Sequence, residues 1–384
     1  MKIVFQKSRF IERLTPAMGT VSDKNTITSI EGVLIDTVGD NLLKLSTYDM
    51  KKGIVTEVEC LEVIEKGSAI INASRLLQIL RLMPGDEVTL TVDESYNATI
   101  EGGASSFSLC ALRGSDFPNL PILSGERGFE IEAAVLRRML SKVIHSVGEP
   151  QESRPMLAGV YMKVEGGEVE VVSCDSITLS VVRKTCDIRD ISAVSVPAFS
   201  FILPGHALQS LMRILPDGEE PVTVYLTRKH AIFRFDELTF FTRLIDEDYI
   251  DYNRIMPKDQ TIFATVDRTR LLEGLERANL VAEEKNQSNG RSFVKMKLDG
   301  PVLTLTSTSV SGRVYDEMEC THEGEEIEIG FNCRFLINSV RAAEGETVRL
   351  TLKNPRSCLT IEPLEEAPDE SYFYMVLPVR ISEG

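Results

Sequence analysis

A long internal repeat is the feature of this sequence that most limits how the chain can fold. A helix-forming stretch, an acidic turn that contains glycine and a strand-forming stretch follow one another three times. The copies are RLLQILRLMPGDEVTLTV at 75–92, ALQSLMRILPDGEEPVTVYL at 207–226 and FLINSVRAAEGETVRLTL at 335–352. The period is close to one third of the 384 residues, and a period of that length predicts three copies of one domain rather than a solenoid of short repeats.

Two more elements recur with the same period. An amphipathic helix is predicted at 6–18, 132–145 and 267–282. A β-hairpin around a glycine turn is predicted at 32–49, 159–175 and 293–309. Because strands outnumber helices, we predict an α+β fold of three tandem domains, each with two helices packed on antiparallel sheet. Aromatic, proline-containing segments at 116–121 and 251–257 are typical of linkers, so we place the domains at 1–125, 126–255 and 256–384.

Composition limits the class of protein. Hydrophobic residues make up 43% of the chain and charged residues 26%, which is typical of globular proteins. We find no apolar run long enough for a transmembrane helix or a signal peptide, and we therefore expect a cytoplasmic protein with no membrane partner. None of the seven cysteines forms a C-x-x-C pair, so we expect reduced thiols.

The charge of the chain is distributed unevenly. The net charge of −16 opposes binding to a polyanion as a general property. The six predicted helices, which include 73–83, 197–215 and 333–343, nevertheless carry a net charge of +9, and the other residues carry −25. A basic surface in an acidic protein attracts a polyanion to one place. No base-reading motif accompanies these helices, so we expect contacts to phosphate rather than to bases.

Helical periodicity predicts where these charges lie. At 100° per residue, Leu136 and Leu140 lie on one face of the third helix, and Arg138 and Lys142 lie on the opposite face. The same spacing places the arginines of the fifth and sixth helices opposite their apolar residues. We therefore expect these cations to be exposed.

Motifs for catalysis or cofactor binding are missing from the sequence. There is no G-x-x-x-x-G-K-[ST] loop, no G-x-G-x-x-G and no G-x-S-x-G elbow. The four histidines form no H-E-x-x-H pair, and each cysteine lies in an apolar stretch typical of a buried thiol. We predict no cofactor, no metal and no catalytic activity.

Four segments resemble one known family over the whole chain. They are LRGSDFPNLP at 112–121, LIDEDYIDYNRIMP at 244–257, EIEIGFNCRFLINSV at 326–340 and YMVLPVR at 374–380. In order and spacing they resemble the bacterial DNA polymerase III beta subunit, the sliding clamp. The resemblance implies a head-to-tail homodimer that closes a ring of six domains around duplex DNA without reading its sequence, and that gives the replicative polymerase its processivity. A separate ATP-dependent clamp loader is expected to open the ring.

The resemblance also implies two sets of functional residues. The DNA-facing cations are expected to be Lys7, Arg9, Arg13, Lys24, Arg75, Arg138, Lys142, Arg270, Arg277, Arg334 and Arg341. A pocket for linear peptide motifs of the polymerase, the loader and repair proteins is expected from Leu157, Cys174, Asp175, Leu179, Ile250, Arg254, Ile255, Asn332, Phe335, Val376, Leu377, Pro378, Val379 and Arg380. Its apolar members are expected to receive Leu and Phe ends of a peptide, and Arg254 and Asn332 a Gln-like side chain.

The chain departs from this family at several positions of the pocket. Thr178 stands where an arginine is common, and Ile250 where a proline is common. The loop 283–290 is longer than usual, and residues 381–384 extend past the usual end. We therefore predict an altered peptide preference.

Two other classes of function stay open on the residues alone. One is a cytosolic hydrolase that uses a cysteine or carboxylate at a domain junction; a monomeric mass and one unusually reactive thiol would favour it. The other is a scaffold that binds peptides but never DNA, which salt-dependent DNA retention would distinguish from a clamp.

Overall fold

The computed structural model describes residues 1–22, 27–193, 198–282, 293–309, 312–365 and 367–380. The chain forms two compact units. The first unit comprises Met1–Val135, Ile188–Val196 and His206–Leu244. The second comprises Leu136–Asp187, Pro197–Gly205 and Ile245–Gly384.

The described residues form six α-helices and 27 strands. The helices are α1 Lys7–Ala17, α2 Ala73–Leu82, α3 Ala133–Val143, α4 Gly205–Ile214, α5 Arg268–Ala282 and α6 Cys333–Ala342. The strands of the first third are β1 Lys2–Gln6, β2 Gly32–Val38, β3 Leu42–Tyr48, β4 Lys52–Glu59, β5 Glu62–Glu65, β6 Ser68–Asn72, β7 Glu87–Val92, β8 Asn97–Gly102, β9 Ser105–Cys110 and β10 Leu112–Arg113. Those of the second third are β11 Arg127–Glu132, β12 Gly159–Glu165, β13 Glu168–Cys174, β14 Thr178–Thr185, β15 Arg189–Asp190, β16 Ala198–Pro204, β17 Pro221–Leu226, β18 His230–Phe235 and β19 Leu238–Arg243. Those of the last third are β20 Ile262–Asp267, β21 Val294–Asp299, β22 Val302–Thr308, β23 Arg313–Glu323, β24 Ile327–Phe331, β25 Thr347–Leu352, β26 Leu359–Pro363 and β27 Glu370–Val376.

The order of elements confirms the predicted threefold repeat and the α+β class. Each third reads as a strand, a helix, a run of antiparallel strands, a second helix and three more strands, and the first third adds the short strand β10. The three predicted hairpins are β2–β3, β12–β13 and β21–β22. In the second of them Gly166 and Gly167 have φ of +59° and +83°, the left-handed values that a tight hairpin turn requires.

In the first unit, one strand pairing joins the first third of the chain to the second. A five-stranded sheet has the order β5-β1-β7-β8-β9, and a ten-stranded sheet has the order β10-β6-β2-β3-β4-β19-β18-β17-β11-β15. In the larger sheet β4 pairs antiparallel with β19, Lys52 opposite Thr242 and Thr56 opposite Leu238. The apolar faces of α1 and α2 cover the main core, in which Phe5, Phe10, Leu14, Leu76 and Leu80 are fully buried. The helical period of the apolar residues predicts such a buried face on each helix.

In the second unit, an equivalent pairing joins the second third to the last. Twelve strands have the order β16-β12-β13-β14-β27-β26-β25-β20-β23-β22-β21-β24. Here β14 pairs antiparallel with β27, Thr178 opposite Val376 and Lys184 opposite Glu370. Helices α5 and α6 contact each other, and Leu271, Leu275 and Leu336 are buried at 0–1% exposure.

The two predicted linkers are packed rather than free. Phe117 is 8% exposed and joins an apolar cluster with Ile232 and Phe241, on which Leu120 and Leu123 also pack. Residues 251–257 contribute Tyr252 and Met256 to the equivalent cluster of the second unit. These segments therefore cover sheet surface, which proline spacing alone does not predict.

The helix predicted at 197–215 begins late. Residues 198–204 form β16, which pairs with β12, and the helix begins only at Gly205. The predicted amphipathic pattern began too early because AFSFILP is a buried strand, and a short apolar run fits either a strand or a buried helix.

Candidate functional site

The residues predicted to form a partner pocket all lie in the second unit. Leu157, Cys174 and Leu179 are 0–6% exposed and belong to one apolar cluster, with Ile250 half-buried against it. Tyr161 and Tyr249 stack at its side with ring centroids 5.2 Å apart. The structure therefore places these predicted residues in or against one apolar cluster, to which β12, β13, β14 and the segment after β19 contribute.

The turn between β13 and β14 forms one wall of this surface. The Asp175 carboxylate accepts hydrogen bonds from the backbone N–H groups of Ile177 at 2.8 Å and Thr178 at 2.6 Å. Ser176 has φ of +77°, a strained value for a side chain other than glycine. Thr178, at the position where an arginine is common, is 1% exposed, and its hydroxyl has no hydrogen-bond partner among the described residues.

The last described residues cross the same region. Leu377 N–H donates to the Ile177 carbonyl at 2.9 Å, and Val379 N–H donates to the Gly330 carbonyl at 2.8 Å. Val376 is fully buried, whereas Leu377 is 39% exposed. Pro378 and Val379 are half-buried and Arg380 is exposed. The residues after β27 thus link the turn before β14 to the end of β24.

The polar members of the predicted pocket already have partners. Asn332 caps α6, since its side-chain oxygen accepts from the Arg334 N–H at 3.1 Å. Arg254 pairs with Asp251 at 2.8 Å, but its side chain remains 85% exposed. Ile255, 46% exposed, and half-buried Phe335 complete the set.

Burial suppresses acid–base chemistry at this surface. It raises the pKa of Tyr249 well above its ordinary value, and it raises the pKa of the Cys174 thiol, despite a hydrogen bond from Ser176 N–H. Tyr252 donates to the buried carboxylate of Glu170, and burial together with this bond raises its pKa. Neutral groups of this kind suit binding better than nucleophilic catalysis.

The predicted DNA-facing cations of the first unit differ in exposure. Arg9 and Arg75 are exposed, and Arg9 pairs with Glu59 at 3.2 Å. Lys7 is half-buried, and its ammonium donates to the Met83 carbonyl at 2.8 Å.

Arg13 is the most constrained of these cations. Its side chain is 21% exposed and donates to Asp236 at 2.7 Å and Glu237 at 2.6 Å. Burial by itself would lower the pKa of Arg13, but the two carboxylates raise it. This guanidinium therefore links α1 to the β18–β19 turn.

The predicted cations of the second unit are mostly exposed. Arg138, Arg270, Arg277, Arg334 and Arg341 are exposed on α3, α5 and α6. Several of them have carboxylate partners. Arg138 pairs with Glu344 at 2.6 Å, Arg277 with Asp316 at 2.5 Å, and Arg341 with Glu276 at 2.8 Å.

Lys142 does not lie where its helical position predicted. It is 4% exposed rather than solvent-facing. Its ammonium contacts Glu370 and lies 2.9 Å from Glu344 and 5.6 Å from the centre of the Tyr372 ring. Glu370, the buried carboxylate, belongs to β27 and lies 228 residues further along the chain. Lys142 is therefore buried against it and not exposed as predicted.

The predicted set of DNA-facing cations leaves out two exposed arginines. Arg81 of α2 and Arg213 of α4 occupy the same place in their repeats as Arg341 of α6. All three are exposed. The alignment of the three repeat copies contained this signal, because an arginine occurs at the seventh position of each copy when the second and third copies are read from Ala207 and Phe335.

Some predictions cannot be compared with the fold. Lys24, the loop 283–290 and residues 381–384 lie outside the described residues. Within the part of the chain that is described, no three His, Cys, Asp or Glu side chains converge as metal ligands. No helix there is long and apolar enough to cross a membrane.

Comparison with known proteins gives matches along the whole chain. Models described as the N-terminal, central and C-terminal domains of the DNA polymerase III beta subunit match residues 1–121, 130–251 and 253–380. The beta sliding clamp of Staphylococcus epidermidis is 25% identical and that of Staphylococcus aureus 24% identical, and each alignment covers 99% of both chains.

Solved structures agree in fold. The DNA polymerase sliding clamp of Bacillus subtilis has a TM-score of 0.88 at 24% identity, and the alignment covers 99% of each chain. The DNA polymerase III beta chain of Streptococcus pneumoniae has a TM-score of 0.90 at 23% identity, over 99% of this chain and 100% of that one. At these identities the structures establish the three-domain fold.

Proposed function

We propose a mode of action from the premise that this chain belongs to the DNA polymerase III beta subunit family, so that its function is that of a DNA sliding clamp, a processivity factor of replication. In our proposal two copies associate head to tail and surround duplex DNA. The ring then holds DNA by topology, and its contacts with phosphate need only be weak.

The observation that carries the ring proposal is a repeated strand junction. In the first unit β4 pairs with β19, and in the second unit the equivalent strand β14 pairs with β27. The last third has its own equivalent of β4 in residues 313–319 of β23, which among the described residues pair on one side only, with β22. The first third has its own equivalent of β19 in β9, which among those residues pairs only with β8. A third junction between copies would pair both open edges.

The exposed side chains fit this third junction. Phe107 of β9 is 39% exposed, whereas its equivalents Phe240 and Tyr374 are fully buried. Tyr315 of β23 is 60% exposed, whereas its equivalent Val55 is 8% exposed. Burial of large apolar groups would then stabilise the dimer.

The two internal junctions also set the register of the third. Ile54 lies opposite Phe240, and Val55 opposite Thr239. Hairpin alignment makes Val314 equivalent to Ile54, since Thr308 faces Arg313 as Tyr48 faces Gly53. We therefore expect Val314 opposite Phe107 and Tyr315 opposite Ser106 of the second copy.

Cysteine cross-linking tests this register. In a Cys110→Ser background, the pair Ser106→Cys and Tyr315→Cys should give a covalent dimer on mild oxidation. The control pair Ser106→Cys and Lys295→Cys places the second thiol on β21 and should not. A monomeric mass near 42.8 kDa for the unmodified protein would overturn the ring proposal.

We further propose that the apolar surface around Leu179 and Val376 binds short peptide motifs of the polymerase and its accessory proteins. Buried Leu157 and Cys174 and the exposed Leu377 supply an apolar site for a leucine or aromatic anchor. The neutral Thr178 supports an altered preference for peptide charge. Titration with a consensus clamp-binding peptide, and with a copy whose acidic residue is made neutral, tests this preference.

Catalysis is assigned to the partners in this proposal. The raised pKa of the Cys174 thiol disfavours a nucleophile at the peptide site. A separate loader ATPase would open the ring. An iodoacetamide survey in which no thiol reacts faster than a free cysteine would agree with this assignment, whereas one hyper-reactive buried cysteine would favour a hydrolase.

A further inference from the structure

A buried acidic side chain lies at the edge of the apolar surface in the second unit. Glu170 is on β13 and precedes Val172 and Cys174 at alternate positions, so the three side chains share one face of the strand. The glutamate is 8% exposed. A carboxylate in such a place is costly unless it has charged or hydrogen-bonding partners. The partners of Glu170 therefore indicate what it does.

Glu170 joins the sheet to the segment that follows β19. One of its carboxylate oxygens accepts the hydroxyl of Tyr252, and the other accepts the Arg183 Nε–H at 2.5 Å. Arg183 lies opposite Glu170 on β14, whereas Tyr252 belongs to the segment 249–257. Burial, together with the bond to Glu170, raises the pKa of Tyr252. The hydroxyl therefore keeps its proton and acts as a hydrogen-bond donor.

Tyr252 also fixes the backbone of that segment. Its carbonyl accepts the N–H groups of Ile255 at 3.1 Å and Met256 at 3.2 Å, and its own N–H donates to the Ile250 carbonyl at 2.9 Å. The centroid of its ring lies 6.5 Å from that of Tyr161 on β12. A residue whose side chain is held by the sheet thus organises the backbone on both sides of it.

The same segment carries three of the residues assigned to the peptide site. Ile250 packs against the apolar cluster, whereas Arg254 is 85% exposed and Ile255 is 46% exposed. Exposed side chains present a fixed surface to a ligand only if their backbone is held, and a surface that is already ordered lowers the entropic cost of binding. The bond between Glu170 and Tyr252 provides this order.

The corresponding segment of the first unit is held differently. Pairing in the first hairpin makes Lys44 the equivalent of Glu170, and Lys44 lies opposite Glu57 of β4. Leu120 and Leu123 pack the segment onto the apolar cluster of that unit, and neither side chain has a polar atom that could bond to the sheet. The link between a carboxylate and a tyrosine hydroxyl therefore distinguishes the unit that carries the peptide surface.

We propose that Glu170 is a positioning residue for peptide binding and acts through the hydroxyl of Tyr252. This inference rests on the proposed peptide site. Glu170 does not itself contact the peptide; it holds the segment 249–257 in the conformation that presents its three peptide-site side chains. Without the link this segment would be free to move, and a peptide would have to order it on binding. Affinity would then fall although the fold is retained.

Titration of the full-length protein with a fluorescent consensus clamp-binding peptide tests the proposal. For Tyr252→Phe, which keeps the ring, we expect an affinity about tenfold lower, equivalent to about 1.4 kcal/mol. Glu170→Ala should give the same loss. Glu170→Gln keeps an oxygen that accepts the Tyr252 hydroxyl and should retain most of the affinity. Because the two residues share one bond, the double variant E170A/Y252F should lose no more than either single variant.

Lys142→Ala is the matched control for general destabilisation. Its buried pair with Glu370 lies in the same unit but joins α3 to the start of β27. This variant should be less stable than the wild type and should bind the peptide with wild-type affinity.

Three results would overturn the proposal. They are wild-type affinity in Y252F, additive losses in E170A/Y252F, and a loss in K142A equal to that in Y252F. A wild-type protein that does not bind the peptide would refute the peptide site and this inference with it. Wild-type binding that Y252F leaves unchanged would refute only the positioning role of Glu170.

Discussion

Lys142 and Glu370 form an ion pair that is almost entirely withdrawn from solvent, with side-chain exposures of 5% and 6%. Glu370 also lies 3.2 Å from Arg138 and 3.4 Å from Lys184. Lys142 is on α3 and Glu370 begins β27, so the pair fastens the central third of the chain to the last third within the second unit.

Removal of Lys142 should therefore destabilise the second unit. Lys142→Ala leaves a buried carboxylate with its weaker partners, and we expect a loss of about 2–3 kcal/mol in the free energy of unfolding. Lys163→Ala is the control, because its pair with Glu165 is 40% and 54% exposed and should contribute less than about 1 kcal/mol. Urea unfolding measures both, and equal losses would contradict the role given to the buried pair.

The same carboxylate should make stability depend on pH. Burial acts to raise the pKa of Glu370, but Lys142, Arg138 and Lys184 together lower it below the ordinary value of 4.5. A lowered folded-state pKa stabilises the fold above about pH 4.5, and this contribution disappears as the pH falls through the folded value. The stability gap between wild type and Glu370→Gln should be full at pH 7 and smaller at pH 3.5; a gap that is the same at both values would refute this.

His145 should add a second pH dependence in a different window. Burial lowers its pKa from 6.5 to about 4, with the ring against Tyr374 and Ser180. The unfolded state then takes up a proton before the folded state does, so stability is lost as the pH falls from 6.5 to about 4. Replacement by Gln should flatten the unfolding free energy across this window. An unchanged slope in that variant would show that other groups cause it.

Asn332 should stabilise the fold by capping α6, in addition to any contact that it makes with a bound peptide. Asn332→Ala removes the acceptor for the Arg334 N–H, and we expect a loss of about 1 kcal/mol. Asn332→Ser keeps a capping oxygen and should retain most of the stability. If the serine variant is as stable as wild type but binds the consensus peptide more weakly, the side-chain amide has a separate role in binding; an alanine variant of full stability would contradict the cap.

Much of the fold could be predicted because it depends on local periodicity. The hairpin at 159–175 has alternating residues around Gly166, and α6 has apolar residues at helical spacing, so both were placed within a residue or two. The threefold order of elements followed from the same local signals.

What the sequence could not provide depends on distant partners. Lys142 was expected on a solvated face, but Glu370 lies 228 residues away and buries it. The segment around Phe117 reads as a linker until Ile232 and Phe241 supply the surface that it covers. The pairing of β4 with β19 likewise joins two thirds of the chain, and no local pattern encodes it.

Retention on DNA of different topology tests the central claim most directly. The protein is loaded on a nicked circular plasmid with a clamp loader, separated from free protein, and followed before and after one restriction cut. A ring predicts stable retention on the circle and rapid loss after linearisation. Equal retention on both forms would show that the protein holds DNA by affinity and not by encirclement.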